Sequence, residues 1–168
     1  MNNKEKYTAL LEAIFDNAIS IKDIAVLILK ESLKKEDQNK KMTLVAFSEN
    51  FLFAFLDEIG KIHLLIQQYP QKIDTIKFSS IGFRDHNKKL EAINKIVGII
   101  PEFNTNQIVN ILRQFKYDTL FIDYKNGKII KPSDSITIRN DNLINYIKFI
   151  EKLKEATKTK LDQFKLTA

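Results

Sequence analysis

Cysteine and tryptophan are both absent from this chain of 168 residues, glycine occurs four times and proline three. Without cysteine there is no disulfide framework and no thiolate-bound zinc, which removes the small stapled scaffolds and the zinc classes that need one or the other. Four glycines are too few for a glycine-rich nucleotide cradle, and neither GxGxxG nor a P-loop is present. An HExxH pair and a serine elbow are missing too, and His63 and His86, the two histidines, are not spaced as a metal pair. No cofactor and no metal are expected.

Arginine is scarce: Arg84, Arg113 and Arg139 stand against 24 lysines. A net charge of +6 and an isoelectric point near 9.3 favour polyanionic partners, since each cation laid on a phosphate releases condensed counterions. A lysine-rich surface equally serves solubility. The first residues offer no unbroken apolar stretch, because Glu12 and Asp16 interrupt it, so no secretory leader is expected and the cytoplasm is the expected location.

What the chain does have is helical periodicity. Tyr7, Leu10, Leu11, Ile14, Phe15, Ala18, Ile21, Ala25, Ile28 and Leu29 recur at three- and four-residue steps, which predicts one helix, or two end to end, over about residues 3–35. Residues 34–41, KKEDQNKK, have nothing apolar to bury and read as a solvated turn between antiparallel helices. A second helix over about 41–69 is apolar nearly all round, with Phe47, Phe51, Phe53 and Phe55, as befits a rod enclosed by others. A membrane span is disfavoured, because Glu49, Asp57, Glu58 and Lys61 together would cost about 8 to 14 kcal/mol near mid-bilayer.

Pro70 ends that helix, and residues 70–82 read as a loop. Helices are expected at about 86–97, capped by Asp85, at about 105–115, and at about 141–164, capped by Asn140 or Asp141. The run from Asp118 to Pro132 holds β-formers on either side of Asn126-Gly127, a hairpin signal over about 119–131. The fold class is therefore mainly α, a single helical bundle over residues 1–168 with a small hairpin between the later helices.

Two clusters are polar where a core would be apolar. At 100° per residue, Asn50, Asp57, Lys61 and Gln68 fall within about 40° of one another on the central helix, with Glu58 beside them and Ala54 among them. If that stripe is buried, Asp57 and Glu58 need cations: Lys61 is within helical reach of both, and at least one more must come from another element. The alternative is a solvent-facing edge pairing its own charges. The second cluster runs from Phe83 through Arg84, Asp85, His86, Asn87, Lys88 and Lys89 to Leu90. His86 shares a face with Leu90, Ile93 and Val97 and points toward the bundle from a helix start, where amide groups and flanking cations favour a phosphate; simple capping by Asp85 and packing by His86 is the competing reading. His63, about 140° round the helix from Glu58, is expected to be a packing histidine.

The order of these motifs resembles the AbiV-type abortive-infection proteins of bacteria. Asp57-Glu58-Ile59-Gly60-Lys61 is similar to that family's Glu-Glu-x-Gly-Lys signature, with Asp57 replacing the first acid. The Phe83 to Leu90 run resembles its aromatic, His, Lys-Leu motif, and Leu120-Phe121-Ile122-Asp123-Tyr124 with Asn126-Gly127 and Pro132 resembles its hairpin. The resemblance covers about residues 18 to 155 and implies a HEPN-like bundle (higher eukaryotes and prokaryotes nucleotide-binding), a toxin role in antiviral defence and a homodimer. Many HEPN proteins are RNA-binding, metal-independent ribonucleases with Arg and His about four to six residues apart on one helix. Here only Asp85 separates Arg84 from His86.

Two functions follow as expectations. In the first, the chain acts on RNA or translation by binding or cleavage, with His86, Arg84, Glu58 and Lys61 as catalytic candidates, Lys88 and Lys89 meeting RNA phosphate, and Asn50 and Asp57 in support. In the second, a non-catalytic defence protein binds a phage or host protein and the same charges form a structural ion network. No membrane partner is expected in either.

Overall fold

The computed structural model describes residues 1–97, 123–125, 128–130 and 140–167. Helix α1 is Asn3–Leu33, α2 is Gln38–Ile66, α3 is His86–Val97 and α4 is Asn140–Leu166. Strands β1, Asp123–Lys125, and β2, Lys128–Ile130, pair antiparallel with Tyr124 opposite Ile129. The architecture is mainly helical. The helix expected near 105–115 and the Asn126-Gly127 turn lie outside the described residues.

The starts of α1 and α2 have local causes. Asn2 accepts the amide of Glu5 at 2.9 Å while the Glu5 carboxylate accepts the amide of Asn2 at 2.8 Å, a reciprocal cap that satisfies two otherwise orphaned donors. Asp37 caps α2 by accepting the amides of Asn39 and Lys40. The solvated turn is therefore shorter than expected: Gln38 to Lys41 form the first turn of α2, because Asp37 offers its carboxylate where an apolar reading sees only charge. Helix α4 opens at Asn140, within a residue of the expected start.

Along α1 the buried stripe is Tyr7, Leu11, Ile14, Ala18, Lys22, Ala25 and Leu29. It packs on α2, whose Leu52, Phe55, Leu56, Ile59, Ile62 and Leu65 are wholly or almost wholly enclosed. Ser48 on α2 donates to the carbonyl of Ala25 at 2.8 Å and pins the pair. From the far side α4 adds Phe149, Ile150, Leu153, Leu161 and Phe164. Tyr7, Tyr69 and Phe164 meet ring to ring, with centroids 5.0 to 6.1 Å apart, closing the end of the bundle where α1 begins.

The segment after α2 is held rather than loose. Asn3 donates to the carbonyls of Pro70 and Gln71 and accepts the amide of Ile73, so Ile73 and Ile76 turn into the core. Helix α3 then lies on α2. Among the described residues no helix is long and apolar enough to cross a membrane.

Candidate functional site

The contact between α2 and α3 is built around a missing side chain. A Cβ placed on Gly60 would sit 2.6 Å from the Cβ of Lys89 and 2.8 Å from its carbonyl oxygen, closer than real Cβ atoms approach. Glycine at position 60 lets the α3 backbone press onto α2, and that approach carries the side chains of the first turn of α3 to the acid one turn before Gly60.

There Asp57 receives two groups from α3. His86 Nδ1 lies 2.6 Å from one carboxylate oxygen and 2.9 Å from the other, and Lys89 Nζ lies 2.8 Å from Asp57. A carboxylate only accepts, so Nδ1 carries the proton and the basic lone pair of a neutral His86 is on Nε2. The Phe53 ring meets the imidazole at a tilt of 59°, centroids 5.8 Å apart. Asp85 starts this helix by accepting the amides of Asn87 and Lys88.

Glu58 turns to its own helix and pairs with Lys61 at 2.5 Å. The second cation that two neighbouring acids require thus comes from α3, as the residues anticipate, but it serves Asp57 alone. Lys89 is 2 % exposed and is held by the part-buried carboxylate of Asp57, so it is not a surface phosphate contact; of the two lysines expected to meet RNA, only Lys88 is exposed. Asn50 sits two turns earlier and donates to the carbonyl of Ala46 at 3.0 Å.

The chain reaches α3 through a single turn with a helix-ending pattern that the loop reading did not register. Phe83 donates its amide to the Phe78 carbonyl at 3.1 Å and Gly82 to that of Ser79 at 3.4 Å, with Gly82 at φ 97°. These are the two hydrogen bonds of a Schellman closure, and its usual apolar contact is the Phe78–Phe83 ring pair, centroids 4.9 Å apart. The signal was the Ser79-Ser80-Ile81-Gly82-Phe83 string, in which glycine supplies the left-handed residue. The turn opens a cleft of about 590 Å³ lined by Leu10, Lys61, Phe78, Ser79, Phe83 and Arg84. Arg84, from before α3, and Lys61, from α2, both line it.

Among the described residues His63, Lys22 and Glu49 are buried away from this site. His63 is 2 % exposed, its Nε2 is 3.3 Å from the Thr157 hydroxyl, and burial, helped by Lys160, pushes its pKa down to about 3, the packing histidine expected. Lys22 occupies an apolar-stripe position on α1 and pairs with Glu151 of α4 at 2.7 Å and with Asp23 at 3.1 Å. Burial lowers its pKa, but the two carboxylates outweigh that and hold it above the ordinary lysine value. Glu49 is 3 % exposed, neither oxygen has a hydrogen-bond partner among the described residues, and burial raises its pKa to about 8.

Among the described residues no group of three His, Asp or Glu side chains is arranged to hold a metal ion. No protein-family model, no curated protein and no solved structure matches the chain.

Proposed function

We propose that the chain is an abortive-infection effector of the AbiV type, with a HEPN-like bundle, that acts on RNA at the junction of α2 and α3, in the cytoplasm and as a homodimer. The observation that carries this reading is the Asp57–His86 contact: a carboxylate on Nδ1 orients an imidazole and leaves Nε2 as its basic atom. Nε2 takes the proton of a ribose 2′-hydroxyl, the 2′ oxygen attacks the adjacent phosphorus, and the bond to the 5′ oxygen breaks. The imidazolium returns the proton to that leaving oxygen, giving a 2′,3′-cyclic phosphate and a 5′-hydroxyl. Arg84, with Lys61 lining the same cleft, offsets the charge that builds on the phosphate.

General acid–base catalysis is worth about 10² to 10⁴ in rate, so His86→Ala is expected to lower RNA cleavage by the purified chain at least a hundredfold. Its melting temperature should move little, since the ring is partly exposed at the helix start. A fall in stability that matches the fall in cleavage makes His86 structural.

One observation favours the second reading. The Lys89 side chain is only 3 % exposed and is fully engaged by Asp57, as in an ion pair that ties two helices together. On that reading the chain is a non-catalytic defence protein that binds a phage or host protein. RNA affinity separates the two: several phosphate contacts give a steep loss between low and physiological salt, and a flat response or no binding favours the protein partner.

A further inference from the structure

We infer that the cleft between α2 and the turn before α3 holds one unpaired nucleotide, its base stacked on Phe78 and its phosphate on Arg84 and Lys61. The inference rests on the RNA reading above and adds what form of RNA is bound and by which ring.

Four observations converge on it. Phe78 is 38 % exposed, one of seven exposed large apolar side chains among the described residues, and it lines the cleft. Its ring meets Phe83 at an interplanar angle of 48°, so the two rings already touch and do not form a slot; a base has the free side of Phe78 to lie against. Arg84 lines the same cleft with no hydrogen bond or ion pair among the described residues, while Lys61 is held in place by Glu58. At about 590 Å³ the cleft is within the roughly 300 to 1,000 Å³ usual for small-ligand sites, room for a nucleotide and too little for a duplex.

An aromatic face paired with a guanidinium is the general solution for unpaired bases, because every base has a π-face and every nucleotide a phosphate. A paired base keeps its faces against its neighbours and offers nothing to Phe78. The selectivity expected is therefore for single strands, with little preference among bases.

The chain has no tryptophan, so Phe78→Trp introduces a lone indole reporter at the stacking position. An eight-residue oligouridylate at low salt is expected to quench that indole and to bind with the affinity of the unsubstituted chain, whereas an RNA duplex of the same length leaves the emission unchanged. Phe78→Ala is expected to weaken oligouridylate binding about tenfold, in line with the loss of one base–aromatic stack. Arg84→Ala should lower the slope of log affinity against log salt by about one. Circular dichroism checks that each variant is folded, and restored binding in Phe78→Trp separates a lost ring from a damaged turn. Oligouridylate that binds without quenching the indole, or that binds Phe78→Ala as tightly as the unsubstituted chain, overturns the cleft assignment and leaves the RNA reading standing. Failure of the unsubstituted chain to bind any RNA overturns both.

Discussion

Two buried side chains with opposite habits set how stability depends on pH. Glu49 keeps its proton in the fold up to about pH 8, against an ordinary value of 4.5, because burial opposes the charge. The unfolded chain releases that proton earlier, so its contribution is whole below pH 4.5 and is lost progressively as the pH rises to 8. His63 is the reverse: its folded pKa of about 3 lies below the ordinary 6.5, so stability is lost as pH falls from 6.5 toward 3. Between pH 4.5 and 6.5 the two slopes cancel. Urea denaturation at pH 5.5 and 8.5 should show the unsubstituted chain weaker at the higher pH and Glu49→Met no weaker there, since only the His63 dependence remains, the variant gaining about 1 to 3 kcal/mol over the unsubstituted chain at pH 8.5. Equal stability of the two proteins at pH 8.5 rules out an unpartnered, buried Glu49. The sequence shows Glu49 as a charge on an apolar rod, but not whether a cation from another element reaches it.

At the scale of elements, one glycine decides how α3 meets α2. The added methyl of Gly60→Ala would collide with the backbone of Lys89, which cannot rotate away as a side-chain tip does. The expected cost is about 1 to 3 kcal/mol of stability, the usual range for overpacking, together with loss of the His86 and Lys89 contacts to Asp57. Thermal melts measure the first, and the imidazole NMR signals of His86 report the second. A variant that melts normally and keeps those signals places the helices farther apart than described. The helix itself was legible, since Asp85 and the Leu90, Ile93 spacing mark its start and its inner face. The turn before it was not, because residues 70–82 lack a period and a Schellman closure is seen only when hydrogen bonds are traced from Phe78 to Phe83.

At the scale of the molecule, α1, α2 and α4 share one apolar core, and α1 is tied to α4 by a charge that the core would not choose. Lys22 sits where the stripe from Ala18 to Ala25 calls for an apolar residue, and Glu151 answers it across 129 positions of sequence. Lys154 binds the same carboxylate. Removing both charges of a pair with a buried member is often neutral, whereas removing Glu151 leaves the buried Lys22 with only the exposed Asp23. Glu151→Ala is therefore expected to lower the melting temperature more than Lys22→Met does, and Lys22→Met combined with Glu151→Ala should recover part of the loss. A double variant less stable than either single one sinks the idea.

By itself the sequence determined the helical class, the extents of α1, α2 and α3 to within a few residues, the burial of most of the central rod and the packing role of His63, because each is written in the spacing of neighbouring apolar residues and caps; Phe47, read as part of the enclosed rod, is 49 % exposed. Only the tertiary structure decided that Asp57 takes His86 and Lys89, that Glu58 keeps Lys61, that Lys89 faces inward and that Glu49 stands alone. Those outcomes turn on distances of a few ångströms between groups such as Asp57 and Lys89, 32 positions apart in the chain. Coulomb and hydrogen-bond energies select partners over that range, and it is the close helix crossing at Gly60 that sets who is within it.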